Sequence, residues 1–269
     1  MRWLAVLVVS ATGVALAAAG LLLLRDDGPD ELLPDLDQAA PAGLEIVEEG
    51  DSYRLVFASA VDNVGRGPLL IGGERPDRET PAMSVTQLVR RTDGGARVRE
   101  LPGEMQYATT ETHEHWHLLG FEVYELRAAG DGKFVRPSEK TGFCLGDRYE
   151  TTKGERAEGK PERPIWTDEC GRDQPGLLTL QQGISPGYGD DYDPALEGQF
   201  VDVTIVPPGR YLLVHRTNPE RTLEEASYEN NAASVLIQLR RSGAIPTVRV
   251  LARCPDAETC RRGQSAGGS

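Results

Sequence analysis

Short segments in which apolar and polar residues alternate, each closed by a turn rich in Gly, Pro or Asp, recur along most of this chain. Alternation by two suits a half-buried strand and not a helix, whose faces repeat every ~3.6 residues. Leu44–Glu48, Tyr53–Ser59, Leu69–Gly72 and Met83–Arg90 alternate or are apolar throughout, and His117–Leu126, Ala233–Arg241 and Thr247–Ala252 continue the series. Phe200–Val206 and Tyr211–Arg216 flank Pro207-Pro208-Gly209, which reads as strand–turn–strand. The 30 Gly and 18 Pro fit a fold with many turns. With no convincing long soluble helix and no internal repeat, the expected class is all-β, an antiparallel β-sandwich with long functional loops. The polar, irregular stretch 147–176 is one such loop.

The N-terminus differs in kind. Leu4 to Leu24 carries no charge, and as a helix it would be about 32 Å long, enough to span a bilayer core. Residues 1–25 therefore read as a transmembrane anchor or a signal peptide, with the bulk of the chain outside the cytoplasm. The small residues Ala17–Ala19 suit cleavage, while the apolar run through Leu21–Leu24 favours an anchor. Residues 26–42 read as an acidic, Pro-bearing linker, and the tail from about residue 254 as flexible. Four cysteines suit an oxidising compartment. They allow three pairings, of which the nearest-neighbour set, Cys144–Cys170 with Cys254–Cys260, is favoured. The formal net charge of −13 argues against a nucleic-acid partner and for a cationic one, an amine or a lysine-containing polypeptide.

Three of the four histidines, His113, His115 and His117, stand at every second position in H-E-H-W-H. On a strand they share one face, and imidazole suits copper or zinc far better than magnesium or calcium. An ideal strand would put the outer two about 13 Å apart at Cα. To share one ion the strand must bend or the rings must lean together.

Three stretches, in order, bring a family into view. H-E-H-W-H is followed by F-E-V-Y-E-L at Phe121–Leu126; K-T-G-F-C-L lies at Lys140–Leu145; and G-I-S-P-G-Y-G-D-D-Y at Gly183–Tyr192 leads through V-D-V-T-I-V-P-P-G-R-Y-L to N-P-E-R-T-L-E-E-A-S-Y-E-N-N. Together they resemble the lysyl oxidases, copper and quinone amine oxidases, with this chain similar to a minimal, bacterial-type member. The resemblance implies a catalytic β-domain over 43–253 and copper on His113, His115 and His117. It also implies a lysine tyrosylquinone cofactor formed from Lys140 and Tyr192, with Asp190 as candidate base. The implied reaction forms a Schiff base between quinone and primary amine, then releases an aldehyde, ammonia and hydrogen peroxide. Thr112, Tyr188 and Gly198 stand where animal members carry cysteines, and Thr110 where they carry a histidine, so fewer disulfides would hold the quinone loop. Collagen and elastin are poor substrate expectations for so pared a chain.

Taken singly, Lys140 reads as a surface lysine and Tyr192 as a loop tyrosine. Asp190, with Asp191, Asp193 and Glu197, reads as a solvated acidic loop or a cation site. Two other functions compete with the oxidase: a non-catalytic extracytoplasmic copper- or zinc-binding β-sandwich, which predicts metal without quinone, and an adhesive sandwich, which has no use for Lys140 or the histidines.

Overall fold

The structure, a computed structural model, describes residues 29–109, 114–153 and 159–261. Among them there is no helix, and so none long and apolar enough to cross a membrane. The apolar segment over residues 1–25 and the distal tail lie outside the described residues, as does His113.

The expectation of an all-β, antiparallel fold holds, with the strands divided among three sheets. A seven-stranded sheet runs Gly142–Phe143, Glu114–Leu119, Ala96–Thr109, Ala82–Arg91, Leu69–Glu74, Thr179–Ile184, with Glu31–Leu32 paired to Ala82–Arg91. A five-stranded sheet runs Phe134–Pro137, Glu122–Ala128, Gly209–Thr217, Ala232–Ser242, Ile245–Cys254. The six-stranded sheet is organised around the long strand Ser52–Asn63. Its first half pairs with Ala42–Glu49 and Phe200–Asp202, and its second half with Leu36–Gln38 and Tyr188–Tyr192, which in turn pairs with Tyr149–Glu150.

One core joins all three sheets. Phe57 and Val61 from the long strand, Met105 and Trp116 from the seven-stranded sheet, and Leu126 and Leu213 from the five-stranded sheet are buried in one cluster. Trp116 and Leu118 fall on the strand face opposite His115 and His117 as alternation requires.

Three expectations are corrected. His117–Leu126 is not one strand: Gly120, at φ 72°, turns the chain from the seven-stranded into the five-stranded sheet, a conformation glycine adopts without a Cβ penalty. The described part of the linker expected over 26–42 belongs to the fold. Leu36 is fully buried, and the backbone N–H of Leu36 donates to Glu225 Oε2 at 2.9 Å. The tail is held as far as Cys260 by the Cys254–Cys260 disulfide, which packs with Leu212, Val214 and Leu236 on the outer face of the five-stranded sheet. Both favoured disulfides, Cys144–Cys170 and Cys254–Cys260, are present.

Candidate active site

Alternation along Glu114–Leu119 turns His115 and His117 to one side, and their rings lean together: Nε2 to Nε2 is 2.8 Å and the ring centroids are 4.6 Å apart. That spacing suits two nitrogens in adjacent positions around one ion bound at about 2 Å. Among the described residues no third such ligand completes the set, and His113 lies outside them. His215 is elsewhere. It is fully buried between the rings of Phe57 and Tyr124, at 4.9 and 4.2 Å between centroids.

Lys140 and Tyr192 come from segments far apart in sequence and meet in one cavity of about 190 Å³, which His115, His117 and Asp190 also line. The lysine segment is pinned by two backbone bonds, Ser138 N to Tyr124 O at 2.9 Å and Glu139 N to Phe200 O at 3.2 Å. Gly198, at φ 74°, lies against it so closely that a Cβ there would come within 3.0 Å of the Lys140 backbone. Tyr192 ends the strand Tyr188–Tyr192, with its Cα opposite Ser59 on the long strand. The Lys140 Nζ sits 5.1 Å from the centre of the Tyr192 ring and 5.3 Å from that of Phe143, whose ring stands edge-on to Tyr192 at 5.3 Å.

All three candidate catalytic groups are buried: Lys140 is 8% exposed, Tyr192 5% and Asp190 1%. Burial favours neutral forms and so lowers the lysine while raising the acids. It pushes the Lys140 amine below its ordinary value, against the opposing pull of Glu122, Asp190 and Glu197. Burial, then the neighbouring carboxylates, hold the Tyr192 phenol well above its ordinary value. The Tyr192 hydroxyl donates to Asp190 Oδ2 at 2.6 Å. Burial pushes Asp190 up to about 8, opposed by that hydrogen bond and by Arg148, whose Nε lies 3.5 Å from Oδ1.

The site contains three further groups to which the resemblance gave no role. Phe143 packs against both members of the lysine–tyrosine pair. Glu122, 1% exposed, accepts hydrogen bonds from Tyr124 and from Ser59 Oγ, and burial pushes it up to about 7. A period-two reading could have found it, because Glu122 is in phase with the core residues Tyr124 and Leu126. Arg148 gave no sequence signal. A second, open groove of about 710 Å³ shares His117 and Lys140 with the cavity and carries Glu49, Glu139, Glu197 and Asp202 on its walls, with Arg54. A further groove, of about 1270 Å³, lies on the seven-stranded sheet and includes none of the expected site residues.

Such a fold and site define an all-β protein with a buried lysine–tyrosine–aspartate cluster beside paired imidazoles. Residues 82–248, more than half of the chain, match the lysyl oxidase family. The chain belongs to that family. It is 32% identical over 120 residues to lysyl oxidase homolog 1 of Homo sapiens, covering 44% of this chain and 18% of the relative. It is 29% identical over 147 residues to protein-lysine 6-oxidase of Sus scrofa, covering 53% and 51%. With protein-lysine 6-oxidase of Gallus gallus it shares 30% over 135 residues, covering 49% and 28%. The chain thus spans from under a fifth to about half the length of these relatives.

Proposed function

We propose that this chain is a copper-dependent amine oxidase. Its reaction takes a primary amine or peptidyl lysine, oxygen and water to an aldehyde, ammonia and hydrogen peroxide. His113, His115 and His117 would hold the copper, and Lys140 and Tyr192 would form the lysine tyrosylquinone cofactor. The observation that carries this reading is the 5.1 Å approach of the Lys140 amine to the Tyr192 ring inside the cavity that the two described histidines line. An isolated surface lysine and loop tyrosine have no reason to be buried together.

When bound, copper and the quinone supply oxygen-dependent oxidation of the amine; histidine is a fitting copper ligand, and zinc has no such redox chemistry. The protein's own residues supply the rest. Burial eases loss of the Lys140 ammonium proton, which the amine must shed before it can act as a nucleophile. Phe143 packs edge-on against the Tyr192 ring and beside the Lys140 amine, which helps fix the pair. Asp190, already at the Tyr192 hydroxyl, is the base that removes a proton from the substrate carbon. The groove reaching Lys140 is predominantly acidic, which supports a cationic amine or lysine-bearing polypeptide as substrate. Two disulfides support an extracytoplasmic setting, membrane-anchored or secreted, with the N-terminal segment as the membrane partner.

Mass spectrometry of copper-loaded, aerated protein, with and without phenylhydrazine, tests the reading. The expected product is a peptide in which Lys140 and Tyr192 are cross-linked and which takes up the hydrazine. Lys140→Arg and Tyr192→Phe should each abolish it. Separate, unmodified Lys140 and Tyr192 peptides despite bound copper would sink the oxidase and leave a metal-binding scaffold.

A further inference from the structure

Asp190 is a buried carboxylate among other acids. Tyr192 and Asp191 face it from its own strand, Glu122 from the five-stranded sheet, and Tyr149 from the neighbouring strand Tyr149–Glu150. His115 and His117 lie across the cavity. Burial and the nearby carboxylates all favour the neutral acid, which can neither accept the Tyr192 hydrogen bond as an anion nor act as a base. Among the described groups that face it, two cations oppose this: Lys140 and Arg148. Lys140 is the residue consumed in the proposed cofactor, and its nitrogen then no longer carries an ammonium charge. Arg148 is the cation that stays.

Its position is built. The Arg148 backbone N–H donates to Gly189 O at 2.9 Å, which ties the residue to the strand that carries Asp190. The guanidinium spans two groups: Nε lies 3.5 Å from Asp190 Oδ1, and Nη2 is 3.2 Å from Cys144 Sγ of the Cys144–Cys170 disulfide. Asp190 is thus held on both sides, by Arg148 at Oδ1 and by the Tyr192 hydroxyl at Oδ2.

We propose that Arg148 is a positioning residue that eases ionisation of the Asp190 carboxyl group and holds it turned towards Tyr192 in the mature enzyme. This rests on the amine-oxidase reading for its catalytic consequence, though not for the electrostatic link itself. Two measurements separate the two. In the copper-free full chain with ¹³C-labelled aspartate, the Asp190 resonance (assigned by its loss in Asp190→Asn) is followed against pH. Arg148→Met should raise the Asp190 midpoint by about one pH unit or more, the ordinary size of losing a close opposite charge. Arg148→Lys should fall between, because a lysine keeps the charge but cannot bridge the carboxylate and the sulfur with one planar group. In the loaded enzyme, the acidic limb of kcat/KM should move up by the same amount. Activity at pH 7 should drop about tenfold per unit of that shift and recover as pH rises.

An unmoved Asp190 midpoint in a folded Arg148→Met protein overturns the proposal. So does a moved midpoint with an unmoved acidic limb, which removes the catalytic consequence. If Arg148→Met fails to fold, Arg148→Lys and Arg148→Gln carry the same comparison. If the wild type oxidises no amine, the functional reading falls, and the midpoint in the copper-free chain alone decides whether Arg148 holds Asp190.

Discussion

His215 lies between Phe57 and Tyr124 with neither ring nitrogen hydrogen-bonded among the described residues, and burial holds it well below the ordinary histidine value. The folded chain therefore refuses a proton that the unfolded chain takes up below about pH 6.5. The unfolded state then binds more protons, so this group makes stability fall as pH drops, by up to about 1.4 kcal/mol per unit. His215→Phe should keep stability at pH 7.5 within about 1 kcal/mol of wild type and flatten its decline towards pH 5. Urea midpoints at the two pH values check this, and copper stoichiometry should not change. The candidate catalytic cluster is the contrasting case. His115, His117, Lys140, Asp190 and Tyr192 were legible because they stand in spaced motifs whose residue types make sense only together. Phe143 and Glu122 lie within those motifs, but their roles, like that of Arg148, come from contacts between segments far apart in sequence, which no motif states.

At the scale of strands, legibility followed the apolar side chains. The long strand Ser52–Asn63 and the pair at Gly209–Thr217 and Ala232–Ser242 were read because their buried faces are rich in Val, Leu and Ile. Ala96–Thr109 carries little apolar signal because its residues are mostly exposed or half-buried, and Pro102-Gly103 interrupts it where the register with Ala82–Arg91 shifts. Leu36–Gln38 is illegible as a strand because three residues among prolines and aspartates look like a linker, and its anchor lies far along the chain. That anchor is Glu225. Its carboxylate, 6% exposed, accepts from Asn218 Nδ2 at 2.5 Å, Asn231 Nδ2 at 2.8 Å and the Leu36 N–H at 2.9 Å. The late N-P … Y-E-N-N motif is thus a clasp for the N-terminal strand. Glu225→Ala removes an acceptor from three buried N–H groups, of which the Asn218 and Asn231 amides keep Leu223 O and Thr217 O, and should cost about 3 kcal/mol in chemical denaturation, with Glu225→Gln costing less.

For the molecule as a whole, a metal that binds only the folded chain stabilises it by mass action. At a free copper concentration about 100 times Kd the gain is about 2.7 kcal/mol, or several degrees in Tm for a protein of this size. Calorimetry should show that rise for wild type and lose it in His115→Ala, and a chelator should reverse it. Net charge belongs to this scale too: with −13 overall, uptake of a lysine-rich polypeptide should weaken steeply with salt, whereas oxidation of a small monoamine should be much less affected. The two halves of the proposed cofactor pair come from segments far apart in sequence. One rides on a segment pinned to Tyr124 and Phe200, the other on a strand paired to Ser59. The lysine segment is set in place only when the five-stranded and six-stranded sheets have closed on each other. A covalent link made there would act as a proof of assembly: a chain that picks up copper before it has finished folding would carry the metal without the bond, and counting the bond would count the molecules that were built correctly.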